Sequence, residues 1–153
     1  MDKKKLAEAY VSFLSEEGYR PSLDKDQDVT FKKEGWVFLI LIDPDDPVYL
    51  RVVCPNFWNV SSDEERSRVL AACSTANQRT KAVKFYLISD SLWAATEMFF
   101  ADQNGYKPVF ERILNTMVTG VSSLVSDLTP SPAETGSASP PASAPVETAR
   151  SAP

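Results

Sequence analysis

DVTFKKEGWVFLILIDPDDPVYLRVVC, residues 28–54, contains three strand-like runs separated only by turns. The first run, residues 28–33, meets Glu34-Gly35, which can close a two-residue hairpin. The second, residues 36–42, is apolar on both faces, a pattern that suits a central strand covered on both sides. Asp43-Pro44-Asp45-Asp46-Pro47 is a turn by composition, because its prolines fix φ and remove ladder donors. The third run starts at Val48 and reaches Cys54. Strands joined by such short turns lie antiparallel, since a parallel pair needs a crossover of roughly a dozen residues or more. The parallel βαβ architectures of most nucleotide enzymes are therefore excluded.

With Glu34-Gly35 as the turn, Phe31 pairs with Phe38 and Lys32 with Val37. Phe31, Phe38 and Ile40 then face the helices, and Lys32, Val37, Leu39 and Leu41 face away. In the third run Arg51 marks the solvent face, shared by Tyr49 and Val53. A slip of one residue would exchange the two sets.

Upstream, residues 3–17 place Leu6, Tyr10, Phe13 and Leu14 on one helical stripe, with Gly18 and Pro21 as stop signals. Downstream, Ser61 and Ser62 each stand three residues before a glutamate, Glu64 and Glu65, so a capping box opens a second helix there. Its apolar face is modest: Val69, Leu70, Cys73 and Ala76. The small residues Ala72 and Ala76 permit close approach, either within the domain or in a dimer. Residues 82–89 and 92–101 alternate as a second hairpin that turns at Ser89-Asp90-Ser91. Pro108 suits the first turn of a third helix. There Phe110, Leu114, Met117, Val121, Leu124 and Leu128 recur at spacings of four and three, with Gly120 as a weak point.

The predicted order is α-β-β-β-α-β-β-α, an α+β fold whose antiparallel sheet packs against helices, over residues 1–128. From Thr129 onward, 20 of the last 25 residues are Pro, Ala, Ser or Thr. One valine and no aromatic residue cannot offset the ordering entropy, so residues 129–153 are expected to be a disordered tail.

The chain has no histidine, which removes Ser-His-Asp and Cys-His machinery. It has no P-loop, no GxGxxG and no GxSxG, and no enzymatic role, cofactor or metal is expected. Asp24, Asp26 and Asp28 imitate the start of an EF-hand loop, but Val29 replaces the required glycine and Gly35 the bidentate glutamate. Net charge is −5, which disfavours a nucleic-acid partner, and no apolar run is long enough for a membrane span. Cys54 and Cys73 lack metal or redox spacing and sit among apolar neighbours. Two reduced buried thiols, rather than a disulfide, point to the cytoplasm.

What remains is a binder. Tyr49, Tyr86, Trp93 and Phe99 fall on the sheet face predicted to lie away from the helices, with Arg51 among them, while Phe57 and Trp58 are placed in the loop before the second helix. Aromatic side chains bury large area at low rotamer cost and dominate binding surfaces. The alternative is that several of them complete the core.

The element order resembles the YbjN family, described as bacterial sensory transduction regulators, whose fold is shared with type III secretion chaperones. The resemblance spans roughly residues 3–128. It rests on a strand ending near Val52-Val53-Cys54-Pro55, a helix finishing at Ala76-Asn77, and the strand Val83-Lys84-Phe85-Tyr86-Leu87 with its hairpin. It implies a small, acidic, cytoplasmic homodimer without catalytic residues, which holds an extended client segment on hydrophobic patches. Three roles are open on this reading: a regulatory or chaperone-like binder of a protein or peptide, a secretion chaperone for one effector, or an immunity-like inhibitor of a toxin.

Overall fold

The structure, a computed structural model, describes residues 2–130. Beyond Pro130 the predicted tail lies outside the described residues. Helix α1 (Lys3–Glu16) is followed by β1 (Ser22–Leu23), β2 (Val29–Lys33), β3 (Trp36–Ile40) and β4 (Tyr49–Asn59). Helix α2 (Asp63–Arg79) precedes β5 (Lys84–Ile88) and β6 (Ser91–Phe99). A 3-10 turn at Lys107–Val109, carrying Pro108, leads into α3 (Phe110–Leu128). The strands form one antiparallel sheet in the order β1-β2-β3-β4-β6-β5.

The first hairpin has the predicted register, with Phe31 opposite Phe38 and Lys32 opposite Val37. Glu34 (φ 50°) and Gly35 (φ 84°) both occupy the left-handed region that a type I′ turn demands. Phe31, Phe38 and Ile40 are buried, and Val37 is exposed. Leu6, Tyr10, Phe13 and Leu14 of α1 join them in one core with the buried stripe of α3, from Phe110 to Leu128. Burying the six large residues of that stripe contributes on the order of 10 kcal/mol before entropy costs.

Four expectations are corrected. A sixth strand, β1, borders β2; two residues beside Pro21 give no periodic signal to detect. Strand β4 does not stop at Cys54 but continues through Pro55 to Asn59. Its register against β6 shifts between Cys54 and Trp58, with Asn56 at φ 50°, and a bulge of this kind accommodates a proline. Val53, expected on the solvent face, is fully buried there. Gly120 is not merely tolerated: a Cβ at that position would lie 2.9 Å from Phe85 Cζ and 2.9 Å from Thr80 Cγ2. The glycine lets α3 approach β5 closely.

Helix α2 begins as predicted. Ser62 Oγ accepts from the Glu65 N–H at 3.1 Å, while Glu65 Oε2 accepts from the Ser61 N–H at 2.8 Å. Ala76 is buried in the domain's own core and Ala72 packs against it. The Asp24 carboxylate accepts from the Asp26 and Asp28 N–H groups, and Asp28 accepts from the Ile42 N–H and pairs with Lys3. Turn hydrogen bonds account for the acidic spacing.

Candidate functional site

Helices α1, α2 and α3 contribute their buried residues to one core with one face of the sheet. The other face is built from cross-strand pairs of β4, β6 and β5. Tyr49 stands opposite Phe99 with ring centroids 5.2 Å apart. Arg51 stands opposite Glu97, and Tyr86 opposite Trp93. Val53 and Ala95 pair between them, and both are fully buried. The longer side chains of neighbouring positions close over these two small residues and form the surface.

The polar groups at the centre of this face hold one another. Arg51 Nη2 donates to the Tyr86 hydroxyl at 3.4 Å. Arg51 Nε lies 3.2 Å from Glu97 Oε1, but the N–H is not aligned on that oxygen and makes no hydrogen bond among the described residues. The contact is therefore coulombic. Lys84 donates to the other carboxylate oxygen of Glu97. That hydrogen bond, with the charges of Lys84 and Arg51, keeps the Glu97 carboxyl below its ordinary range. Burial, with the negative charge of Glu97, raises the Tyr49 phenol. The result is a compensated ion cluster between two aromatic pairs, with Phe99 76% exposed at one end and Ile88 45% exposed at the other.

Five predicted surface residues, Tyr49, Arg51, Tyr86, Trp93 and Phe99, thus share one face. Phe57 and Trp58 do not join them. Both lie in the extension of β4 and not in a loop, Phe57 within the irregular stretch and Trp58 where pairing with β6 resumes, and both pack against the helix-side core. Phe57 meets the rings of Trp36 and Phe85, and the Trp58 indole N–H donates to Glu65 of α2 at 3.0 Å. Pro55 hid the continuation of the strand, and with it the direction of these two side chains.

One residue that the sequence reading missed is Asn77. Its Oδ1 accepts from the Phe85 N–H at 2.8 Å, and its Nδ2 donates to the Phe85 carbonyl at 3.2 Å. A side-chain amide here takes the place of a further strand on the outer edge of β5. Arg66, also on α2, donates to the Ser89 carbonyl at 3.1 Å. Helix α2 thereby covers this sheet edge at Phe85 and at Ser89. The sequence signal was slight: Asn77 stands one helical step beyond Val69 and Cys73 but is itself exposed, where a polar residue is ordinary.

Among the described residues no group of three or more His, Cys, Asp or Glu is placed to hold a metal ion, and no helix is long and apolar enough to cross a membrane. Cys54 and Cys73 are free and buried, and burial pushes their thiols up to about 12 and about 11. Neither is a poised nucleophile.

Among solved structures, the chain is similar to YbjN of E. coli, with a TM-score of 0.59 at 12% identity, over 78% of this chain and 90% of that one. It is also similar to an uncharacterized protein from Methanothermobacter thermautotrophicus, with a TM-score of 0.54 at 14% identity, over 81% of this chain and 99% of that one. At such identities the likeness establishes the fold. No curated protein matches the chain significantly. The profile of the TY-Chap1 family, described as T3SS (YopN, CesT) and YbjN peptide-binding chaperone 1, matches residues 5–133. That match takes in every helix and strand but the first two residues of α1, and the chain belongs to the TY-Chap1 family of peptide-binding chaperones.

Proposed function

We propose that this protein holds an extended segment of a partner protein against the sheet face that carries Tyr49, Arg51, Tyr86, Trp93 and Phe99, without catalysing a reaction on it. The observation that carries the reading is the ordered array of cross-strand pairs on that face, Tyr49 with Phe99, Arg51 with Glu97 and Tyr86 with Trp93. Aromatic area supplies affinity, and the ion cluster between the aromatic pairs supplies orientation. The peptide-binding description of the family supports the kind of partner. The same reading places the protein in the cytoplasm, supported by two free thiols. It also makes the protein a homodimer, an extension that rests on the resemblance to secretion chaperones and is tested by sedimentation equilibrium.

Affinity capture with mass spectrometry, comparing the full-length protein with Trp93→Ala, tests the reading. Loss of partners with an almost unchanged thermal transition supports it. Equal recovery by the two proteins contradicts it, and a large loss of stability assigns Trp93 to the fold instead.

A further inference from the structure

The outer sheet face carries charge of the opposite sign to the chain as a whole. Its strand positions hold three cations, Lys32, Arg51 and Lys84, and one carboxylate, Glu97. That is a net of +2, on a chain whose net charge is −5. Every other acidic residue among those described lies in a helix, turn or loop. Glu97 neutralises only one of the two cations that meet it, Arg51 and Lys84. The side chain of Lys84 is 59% exposed and that of Arg51 35%, against 25% for Glu97, so the surplus charge faces solvent. Arg51 has five N–H donors, and among the described residues one of them hydrogen-bonds, to the Tyr86 hydroxyl.

The two cations at the centre stand between apolar ends. Along β6 the outward residues are Phe99, Glu97, Ala95 and Trp93. The Tyr49–Phe99 and Tyr86–Trp93 pairs are thus about 20 Å apart along the strand. Arg51 stands opposite Glu97 and Lys84 opposite Ala95, which places both cations between the aromatic pairs. Ala95 and Val53 are fully buried, so the surface above them belongs to these longer side chains.

We infer that the client segment held on this face is acidic, with carboxylate side chains over Arg51 and Lys84 and an apolar side chain at each end over the aromatic pairs. The inference rests on the peptide-holding reading and gives the client its chemistry. Alternate side chains of an extended segment share one side. Apolar residues at i and i+6, with acidic residues at i+2 and i+4, therefore reproduce the spacing of about 20 Å. A carboxylate there meets unused Arg51 and Lys84 donors, whereas a basic side chain meets the surplus of like charge. The negative charge elsewhere on the chain does not reverse this. Screening acts over about 8 Å at physiological ionic strength, so a seated segment responds to the face beneath it. A second copy of this chain is the poorer occupant, because two such faces would set positive surplus against positive surplus.

The test uses the full-length protein and three end-capped peptides of the pattern leucine–serine–X–serine–X–serine–leucine, with X as glutamate, serine or lysine. Binding is followed by NMR titration of the Trp93 indole N–H. The other two indoles, on the helix side, are occupied: Trp36 donates to Ser122 at 3.3 Å and Trp58 to Glu65 at 3.0 Å. The glutamate peptide is expected to shift the Trp93 signal and to bind about tenfold tighter than the lysine peptide, with the serine peptide between them. That preference should shrink as salt rises from about 50 to about 500 mM. Lys84→Gln is expected to cut it to about threefold, and Glu97→Gln, which leaves both cations uncompensated, to widen it. Urea unfolding checks that each variant is folded.

Equal affinity for the three peptides, or tighter binding of the lysine peptide, overturns the inference; if Trp93 still shifts, the outer-face reading stands. A glutamate preference that leaves Trp93 unshifted also overturns it, since the carboxylates are then held elsewhere. So does a single-stranded oligonucleotide that binds this face more tightly than the glutamate peptide. Binding of none of the peptides overturns it as well, and client capture with Trp93→Ala then judges the outer-face reading on its own.

Discussion

Tyr49 and Phe99 meet across the β4–β6 pair at 5.2 Å between ring centroids, yet Phe99 leaves 76% of its surface to solvent. A ring held at its base and open at its tip adds little to folding. Phe99→Ser is expected to shift unfolding stability by no more than about 0.5 kcal/mol, the usual range for an exposed site. Recovery of clients should fall. Denaturant unfolding alongside capture checks both halves.

Gly120→Ala is expected to destabilise, although alanine is the better helix former. The added Cβ would meet Phe85 Cζ and Thr80 Cγ2 at 2.9 Å. Overpacking costs about 1–3 kcal/mol, against roughly 1 kcal/mol gained from propensity. A lowered midpoint in urea is the expected result.

Asn77→Ala leaves the outward N–H and carbonyl of Phe85 without the amide that holds them. Stability should drop by about 1–3 kcal/mol, the cost of stranding buried polar groups. The newly open edge should also promote edge-to-edge association. Light scattering at rising protein concentration measures the second effect.

The pH dependence has two limbs. A hydrogen bond from Lys33, joined by one from Tyr19, holds the Glu111 carboxyl below its ordinary 4.5. Glu97 is lowered first by Lys84. The folded state thus favours both carboxylates, so their stabilisation is present above 4.5 and is lost as pH falls through the lower folded values. Glu111→Gln should flatten that acid limb. On the alkaline side, burial pushes Tyr10 from 10.0 up to about 12 and Cys54 from 9.0 up to about 12. Stability from these neutral groups is present below their unfolded values and is lost as pH rises towards about 12. Tyr10→Phe should retain more stability there, as measured by urea midpoints across the range.

The hairpin of residues 29–40 was legible because its alternation and its turn agree, and the α3 stripe because every member faces the core. Tyr49, Arg51, Tyr86, Trp93 and Phe99 could be placed on one face from period-two spacing alone. Where the ladder is irregular the reading failed. Between Cys54 and Trp58 the register shifts, so Phe57, which simple alternation from Val53 would place on the outer face, packs on the helix side together with Trp58. The burial of Val53 depends on neighbours from two other strands, which no local pattern reveals. The closeness of Gly120 to Phe85 is likewise a property of packing between α3 and β5.

Site-specific photocrosslinking tests the central claim most directly. A benzophenone amino acid replaces Phe99 on the open sheet face, or, as the control, Leu70, which is 51% exposed on α2. Client adducts formed from position 99 and not from position 70 are the predicted result. Adducts from position 70 alone would contradict it.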